Sequence, residues 1–249
     1  MLDSMGGRSG QFSKATLAAV MLAALALTGC PAARRGAPPP LPVPGPSPAE
    51  IAPPAAGATR YRVASGESLI VVLVYRGGAF ASLGHNHVIA SRSLAGVIDV
   101  RDPPSGSTFE LHLPVAEFTV DEPQLRSGRG PDFANAVPDS AREGTRRNLL
   151  AEDQLDAVHF PQIVVRAVSF TGGPHSFAAR FEVSMRGKRY TLEVPVQVDR
   201  PDADRLRITS RFPVSQRALG LTPLSVMLGA IQVEDMLAIE VDLSARRVP

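Results

Sequence analysis

The sequence predicts an all-β domain, a closed antiparallel β-barrel of about eight strands with one short helix. Three observations lead there. Apolar and polar residues alternate with period two in run after run beyond residue 59, which gives strands one buried and one solvated face. Only the stretch 138–150 carries a helical pattern of any length. Many short strands without intervening helices make a sandwich or a barrel, and closure removes the unpaired edges that would endanger a secreted β-protein.

The elements follow in order. Residues 68–76 are almost continuously apolar, from Leu69 to Tyr75, and read as a first, buried strand. A Leu-Gly-His-Asn-His turn at 83–87 follows it, and 94–101 begins a further extended segment around Gly96. In 107–115, Phe109, Leu111, Leu113 and Val115 share one face. Glu110 and His112 share the other, where His112 is expected to meet solvent. Residues 177–198 form the clearest hairpin: Phe177, Ala179, Phe181, Val183 and Met185 alternate with polar residues, and Tyr190, Leu192, Val194, Val196 and Val198 repeat the pattern. Gly187-Lys188 between them supplies a tight turn. Residues 206–212 and 237–243 complete the set, the latter with Glu240 and Asp242 outward. The helix over 138–150 has Pro138 in its first turn and Arg146 and Arg147 near its end, where they complement the helix dipole.

Ahead of the barrel the chain is of another kind. Residues 1–14 carry Arg8 and Lys14, residues 15–27 are apolar, and Leu27-Thr28-Gly29-Cys30 closes the run. This reads as a secretory signal peptide over 1–29, too short for a membrane span. Its last four residues resemble a bacterial lipobox, and Cys30 is the only cysteine in the chain, so lipidation at Cys30 is expected and an intramolecular disulfide is excluded. Several acyl chains make a firm anchor where one binds marginally. Ala32 stands where the inner-membrane retention signal of enterobacterial lipoproteins has Asp, which favours the outer membrane. Residues 30–58 are rich in Pro and Ala, around Pro38-Pro39-Pro40-Leu41-Pro42. They hold too few large apolar residues for a core and read as an extended tether. The folded domain is expected over 59–249.

The formal charge of the whole chain is +2, which leaves no nucleic-acid footprint. Lys14 and Lys188 are the only lysines. No nucleophile elbow and no His-Glu-x-x-His motif occur, so catalysis is the less favoured class. Two of the five histidines, His85 and His87, have a spacing that puts both rings on one side of an extended segment, as zinc and copper sites do. A third ligand would come from His112, His159, His175, Glu67 or Asp99. The other reading is that both rings bond backbone or pack at the barrel mouth.

Several segments together resemble the YceI-like family of bacterial periplasmic and secreted proteins. They are Tyr61-Arg62-Val63 with Ser68; Asn148-Leu149-Leu150 followed by Leu155-Asp156-Ala157 and Phe160-Pro161-Gln162-Ile163; and Phe181 to Gly187 with Leu192-Glu193-Val194-Pro195-Val196. The segment 212–221, ending in Gly220-Leu221, adds to them. The resemblance implies a lipocalin-like barrel that binds or carries an apolar lipid, a polyisoprenoid, inside it. Many such proteins pair, so a homodimer is among the expected partners. Alternation then nominates Val71, Leu73, Phe109, Leu111, Phe181, Val183, Leu192 and Val194 as ligand-lining, or equally as ordinary core. The chain departs from the family where many members have Gly-x-Phe, for here Gly84-His85-Asn86-His87 stands instead. A metal- or haem-binding barrel using His85 and His87 is the first alternative, and a ligand-free envelope interaction module the second.

Overall fold

The structure, a computed structural model, describes Pro54 and residues 56–249 apart from Pro174. The expected signal peptide, the lipidation site and most of the tether lie outside the described residues. The strands are β1 (Thr59–Val63), β2 (Leu69–Val74), β3 (Arg76–Gly77), β4 (His87–Ser91), β5 (Ala95–Val100), β6 (Thr108–Pro114) and β7 (Thr119–Val120) in the first half. After them come β8 (Gln162–Gly172), β9 (Ser176–Met185), β10 (Lys188–Asp202), β11 (Arg205–Ser215), β12 (Ser225–Val226), β13 (Ile231–Val233) and β14 (Met236–Arg247). Two α-helices, α1 (Pro123–Ser127) and α2 (Asp139–Leu150), lie between β7 and β8.

The strands β1, β5, β6, β8, β9, β10, β11 and β14 pair antiparallel in that order, and β14 returns to β1 through Tyr61↔Arg247 and Val63↔Ala245. The expected closed eight-stranded barrel is therefore present. The first turn of the wall is built from broken strands. Between β1 and β2 the chain steps out through a short 3-10 turn (Ser65–Glu67), and the buried Ser68 hydroxyl takes over the ladder there. It donates to Ala64 O at 2.9 Å and accepts from Ser244 N at 3.1 Å. Beyond the break β2 continues along β14, and β4 and β7 extend the sheet outward from β2.

The strand β2 shows why its apolar run is continuous. One face, Ile70, Val72 and Val74, looks into the barrel. The other carries Val71 and Leu73, which pack with Val88, Ala90 and Phe133 in a second cluster, supported by Leu125 and Tyr75. The excursion between β7 and α2 covers the outside of the barrel at this point, so both faces are dry. A strand buried on both sides loses its alternation.

Two glycines are required by backbone geometry. At Gly96, φ is +152° and a side chain would put its first carbon 2.2 Å from Glu110 O on the adjoining β6. At the β9–β10 hairpin the two-residue turn is Arg186-Gly187, with φ of 49° and 69° and Met185 paired to Lys188. The expected turn, Gly187-Lys188, is thus one residue late. A turn with both central residues at positive φ follows the strand twist, and Arg186 takes the left-handed position so that Gly187 can hold the second. The helix α2 begins one residue after Pro138, which precedes it as its cap, and the short α1 was not anticipated.

His112 also departs from expectation. It is 6 % exposed, because Nε2 bonds a Glu110 carboxylate oxygen at 2.8 Å and Nδ1 the Gln162 side-chain oxygen at 3.0 Å. Arg166 of β8 donates to the same Glu110 at 2.8 Å. That bond, before any other effect, holds the Glu110 carboxyl below its ordinary range. Period-two alternation places a residue on the outer face, but neighbouring strands decide whether that face is wet.

Candidate functional site

The barrel is hollow. It encloses a cavity of about 860 Å³, in the upper part of the range of small-ligand sites. The wall is mostly aliphatic and aromatic because the inward phase of the long strands is chiefly Val, Leu, Ile and Phe. Phe109, Phe170, Phe177 and Phe181 form an aromatic group in it, with successive ring centroids 6.0 to 6.4 Å apart. Arg101, Arg200 and His175 also border the cavity, where β5 ends, where β10 approaches its end, and in the β8–β9 turn. Six of the residues expected from alternation, Phe109, Leu111, Phe181, Val183, Leu192 and Val194, stand on this wall. Val71 and Leu73 do not. They point away from it into the second cluster, and the lining positions of β2 are Ile70, Val72 and Val74. Alternation cannot phase a strand that is apolar on both faces.

A further polar corner of the wall is built by the Leu-Gly-His-Asn-His turn. His87, the first residue of β4, borders the cavity. Its Nδ1 lies 2.6 Å from Asp121 Oδ2, and its Nε2 lies 3.2 Å from Thr145 Oγ1 on α2. Asp121 is a buried carboxylate, with a side chain 0 % exposed. It stands just after β7 in the left-handed region, φ 54°, a conformation that Asp tolerates better than most residues. Its other oxygen accepts from Val88 N–H at 2.8 Å and from the Arg126 guanidinium at 2.6 Å. Burial raises the Asp121 carboxyl, but the bonds it accepts from His87, Val88 N–H and Arg126 outweigh it and hold it below its ordinary range.

The two terminal nitrogens of Arg126, on α1, also donate to carbonyls: Asn86 at 2.7 Å, Phe133 at 3.0 Å and Asn135 at 2.9 Å. The guanidinium also lies over the Phe133 ring, 5.7 Å from its centroid. Asn86 turns to the opposite side from the two histidines, accepting from Arg76 N–H and donating to Asp132 O, both at 2.9 Å. No buried side-chain polar atom among the described residues lacks a partner. A buried ion pair satisfied on all sides is the arrangement in which burial of charge is tolerated.

His85 does lie beside His87, ring centroids 6.2 Å apart. Its basicity is lowered, first by burial and then by the neighbouring His87, Arg126 and Arg76. No third ligand joins the two rings: among the described residues no group of three His, Cys, Asp or Glu is placed to hold a metal ion. His112 bonds Glu110, His159 bonds Asp156, His175 bonds Val198 O, Glu67 pairs with Arg246 and Asp99 with Arg60. His87 itself has both nitrogens engaged. The site residues that the sequence did not reveal are Asn86, Asp121, Arg126 and Thr145. Asp121 and Thr145 lie 34 and 58 residues from His87, and no spacing rule spans such gaps.

Chemically, Asp121 accepts the Nδ1 proton, so in the neutral imidazole Nε2 presents its lone pair and the Thr145 hydroxyl donates to it. The row Asp-His-Thr has the order of a nucleophile relay. Thr145 nevertheless stands within α2, where the helix ladder uses the backbone N–H groups, so its own backbone has no N–H to spare for a developing oxyanion.

Fold and site together define a hollow antiparallel barrel with a mostly apolar interior and a buried polar corner at His87. No family model matches the chain, and no curated relative matches it. Solved structures do, and they are YceI-like proteins. BcnA of Burkholderia cenocepacia matches with a TM-score of 0.54 at 15 % identity, over 73 % of this chain and 98 % of its own. A polyisoprenoid binding domain from Saccharophagus degradans, implicated in plant cell wall breakdown, matches with a TM-score of 0.48 at 10 % identity, over 76 % and 98 %. The Campylobacter jejuni YCEI protein matches with a TM-score of 0.43 at 11 % identity, over 63 % and 82 %. These likenesses are of fold.

Proposed function

We propose that this chain is a lipid-binding protein of the cell envelope that holds an apolar chain, a polyisoprenoid, inside its barrel. The observation that carries the reading is the apolar cavity of about 860 Å³ enclosed by the strands. Burying a hydrocarbon there gains roughly 0.8 kcal/mol per methylene, so affinity comes from length and needs few polar contacts. The motif resemblance in 61–221 and the shared fold support the same ligand class. The protein acts as a carrier or binder and not as an enzyme.

The signal-like start and Cys30 extend the proposal to an acylated N-terminus with the barrel held off the membrane by the 30–58 tether. Native mass spectrometry of the full chain released gently from envelope membranes tests the ligand. We expect a non-covalent adduct whose mass and fragmentation are those of an isoprenoid lipid; a chain that carries no lipid and takes up none from isoprenoid-containing vesicles contradicts the reading. Cys30→Ser tests the anchor separately, and the expected outcome is loss of the protein from the membrane fraction.

A further inference from the structure

A cavity that served hydrocarbon alone would have no use for an imidazole on its wall, since each polar group that must be desolvated costs affinity for a purely apolar guest. His87 is nevertheless there, and it is held with care: Asp121 fixes Nδ1 at 2.6 Å, and Val88 N–H and Arg126 fix Asp121 in turn. What this assembly delivers to the cavity is His87 Nε2 beside Thr145 Oγ1, 3.2 Å apart. Both residues border the cavity, and Leu149, one turn beyond Thr145 on α2, continues the apolar wall next to them. The pair comprises one acceptor, the Nε2 lone pair, and one hydroxyl that rotates freely to donate elsewhere.

The charge at this corner is already balanced. Arg126 faces Asp121 at 2.6 Å and spends its other bonds on the carbonyls of Asn86, Phe133 and Asn135. Arg126 does not border the cavity, and in the tautomer that gives Nδ1–H to Asp121 an anionic oxygen at Nε2 would meet a lone pair backed by a carboxylate. A neutral O–H fits instead: it donates to Nε2 while its oxygen accepts from Thr145, so the existing Thr145–His87 bond is replaced by two.

From this geometry we propose that His87 and Thr145 form the anchor for an uncharged hydroxyl at the end of a long-chain lipid, with Asp121 as the positioning residue for His87. The proposal rests on the reading of the barrel as a lipid-binding cavity and adds the identity of the head group: an alcohol in preference to a hydrocarbon or a phosphate ester.

The test is competition against a fluorescent isoprenoid probe on the full chain, using geranylgeraniol, the isoprenoid hydrocarbon of the same length, and geranylgeranyl phosphate. Wild type is expected to bind the alcohol about tenfold more tightly than the hydrocarbon, the worth of a well-made buried hydrogen bond. Thr145→Val keeps the side-chain shape and should lower that ratio severalfold, and His87→Leu should bring it close to one, with hydrocarbon binding held or improved in both. A variant that merely loosened the barrel would weaken both guests together, and Thr145→Val remains informative should His87→Leu fold poorly. Equal binding of alcohol and hydrocarbon by wild type overturns the anchor while leaving the lipid cavity standing. So does tighter binding of the phosphate, or a preference for alcohol that survives both substitutions. Failure of every guest to displace the probe overturns the cavity reading as well.

Discussion

Asp121 is the residue on which the polar corner depends, because it ties the end of β7 to β4, through Val88 N–H and the His87 ring, and to α1 through Arg126. Its removal would leave the Arg126 charge buried without its counter-ion, so we expect Asp121→Asn to cost about 3 kcal/mol of unfolding free energy, read from urea denaturation. The pH dependence has a definite sign. Since the folded carboxyl titrates below its ordinary range, the stability it contributes is complete above that range and is lost as the pH falls through the lowered folded value. Thermal melts of wild type should therefore lose stability as the pH falls below the ordinary carboxylate range, and Asp121→Asn, less stable at pH 7, should show a shallower acid limb. Gly96 makes a second demand at this scale. A methyl group there meets Glu110 O at 2.2 Å with φ at +152°, so Gly96→Ala is expected to destabilise by at least about 2 kcal/mol. Neither dependence was visible in the sequence beyond the bare presence of a glycine and an aspartate in extended segments.

Among the elements, the β9–β10 hairpin was legible because alternation on both arms and a glycine between them agreed, while its register was not, since the turn is Arg186-Gly187 and not Gly187-Lys188. The strand β2 was legible as a strand and illegible in phase. Its outward residues Val71 and Leu73 are as apolar as its inward ones, and only the distant Phe133 explains them. Phe133 is 3 % exposed and covers that face, so Phe133→Ala should cost roughly 3–5 kcal/mol in denaturant unfolding. The substitution should also loosen the segment that carries Arg126. The small sheet formed by β3, β13 and β12 behaves in the opposite way. Its tip holds Met227 and Leu228 at φ of 51° and 56°, and Leu228 is fully exposed. Leu228→Gly removes backbone strain without removing packing, and we expect the melting temperature to hold or to rise, a gain of up to about 1 kcal/mol.

At the scale of the whole molecule, closure of the barrel was legible and its emptiness was not. Strands that alternate in polarity and lack intervening helices require a closed or sandwiched sheet, and the eight-stranded ring follows from that. Whether inward side chains meet across an eight-stranded barrel depends on strand tilt and side-chain volume, which alternation does not encode. Here the inward faces carry many Val residues, and the aromatic group of Phe109, Phe170, Phe177 and Phe181 leaves open space within the wall. The polar corner was legible in part: the two histidines were singled out, while the partners that fix His87 come from segments far along the chain. The fold likeness to BcnA at 15 % identity shows how little of the sequence the barrel itself requires.

Occupancy of the cavity by an apolar chain is the central claim, and filling it from within tests that claim most directly. Ala179 and Val194 are cross-strand partners whose side chains both border the cavity. In the double variant Ala179→Phe, Val194→Phe the added rings occupy the space proposed for the lipid. Titration with a fluorescent isoprenoid should show affinity falling by at least about tenfold, the loss of roughly two buried methylenes. Undiminished binding by a folded double variant would place the lipid elsewhere and contradict the account.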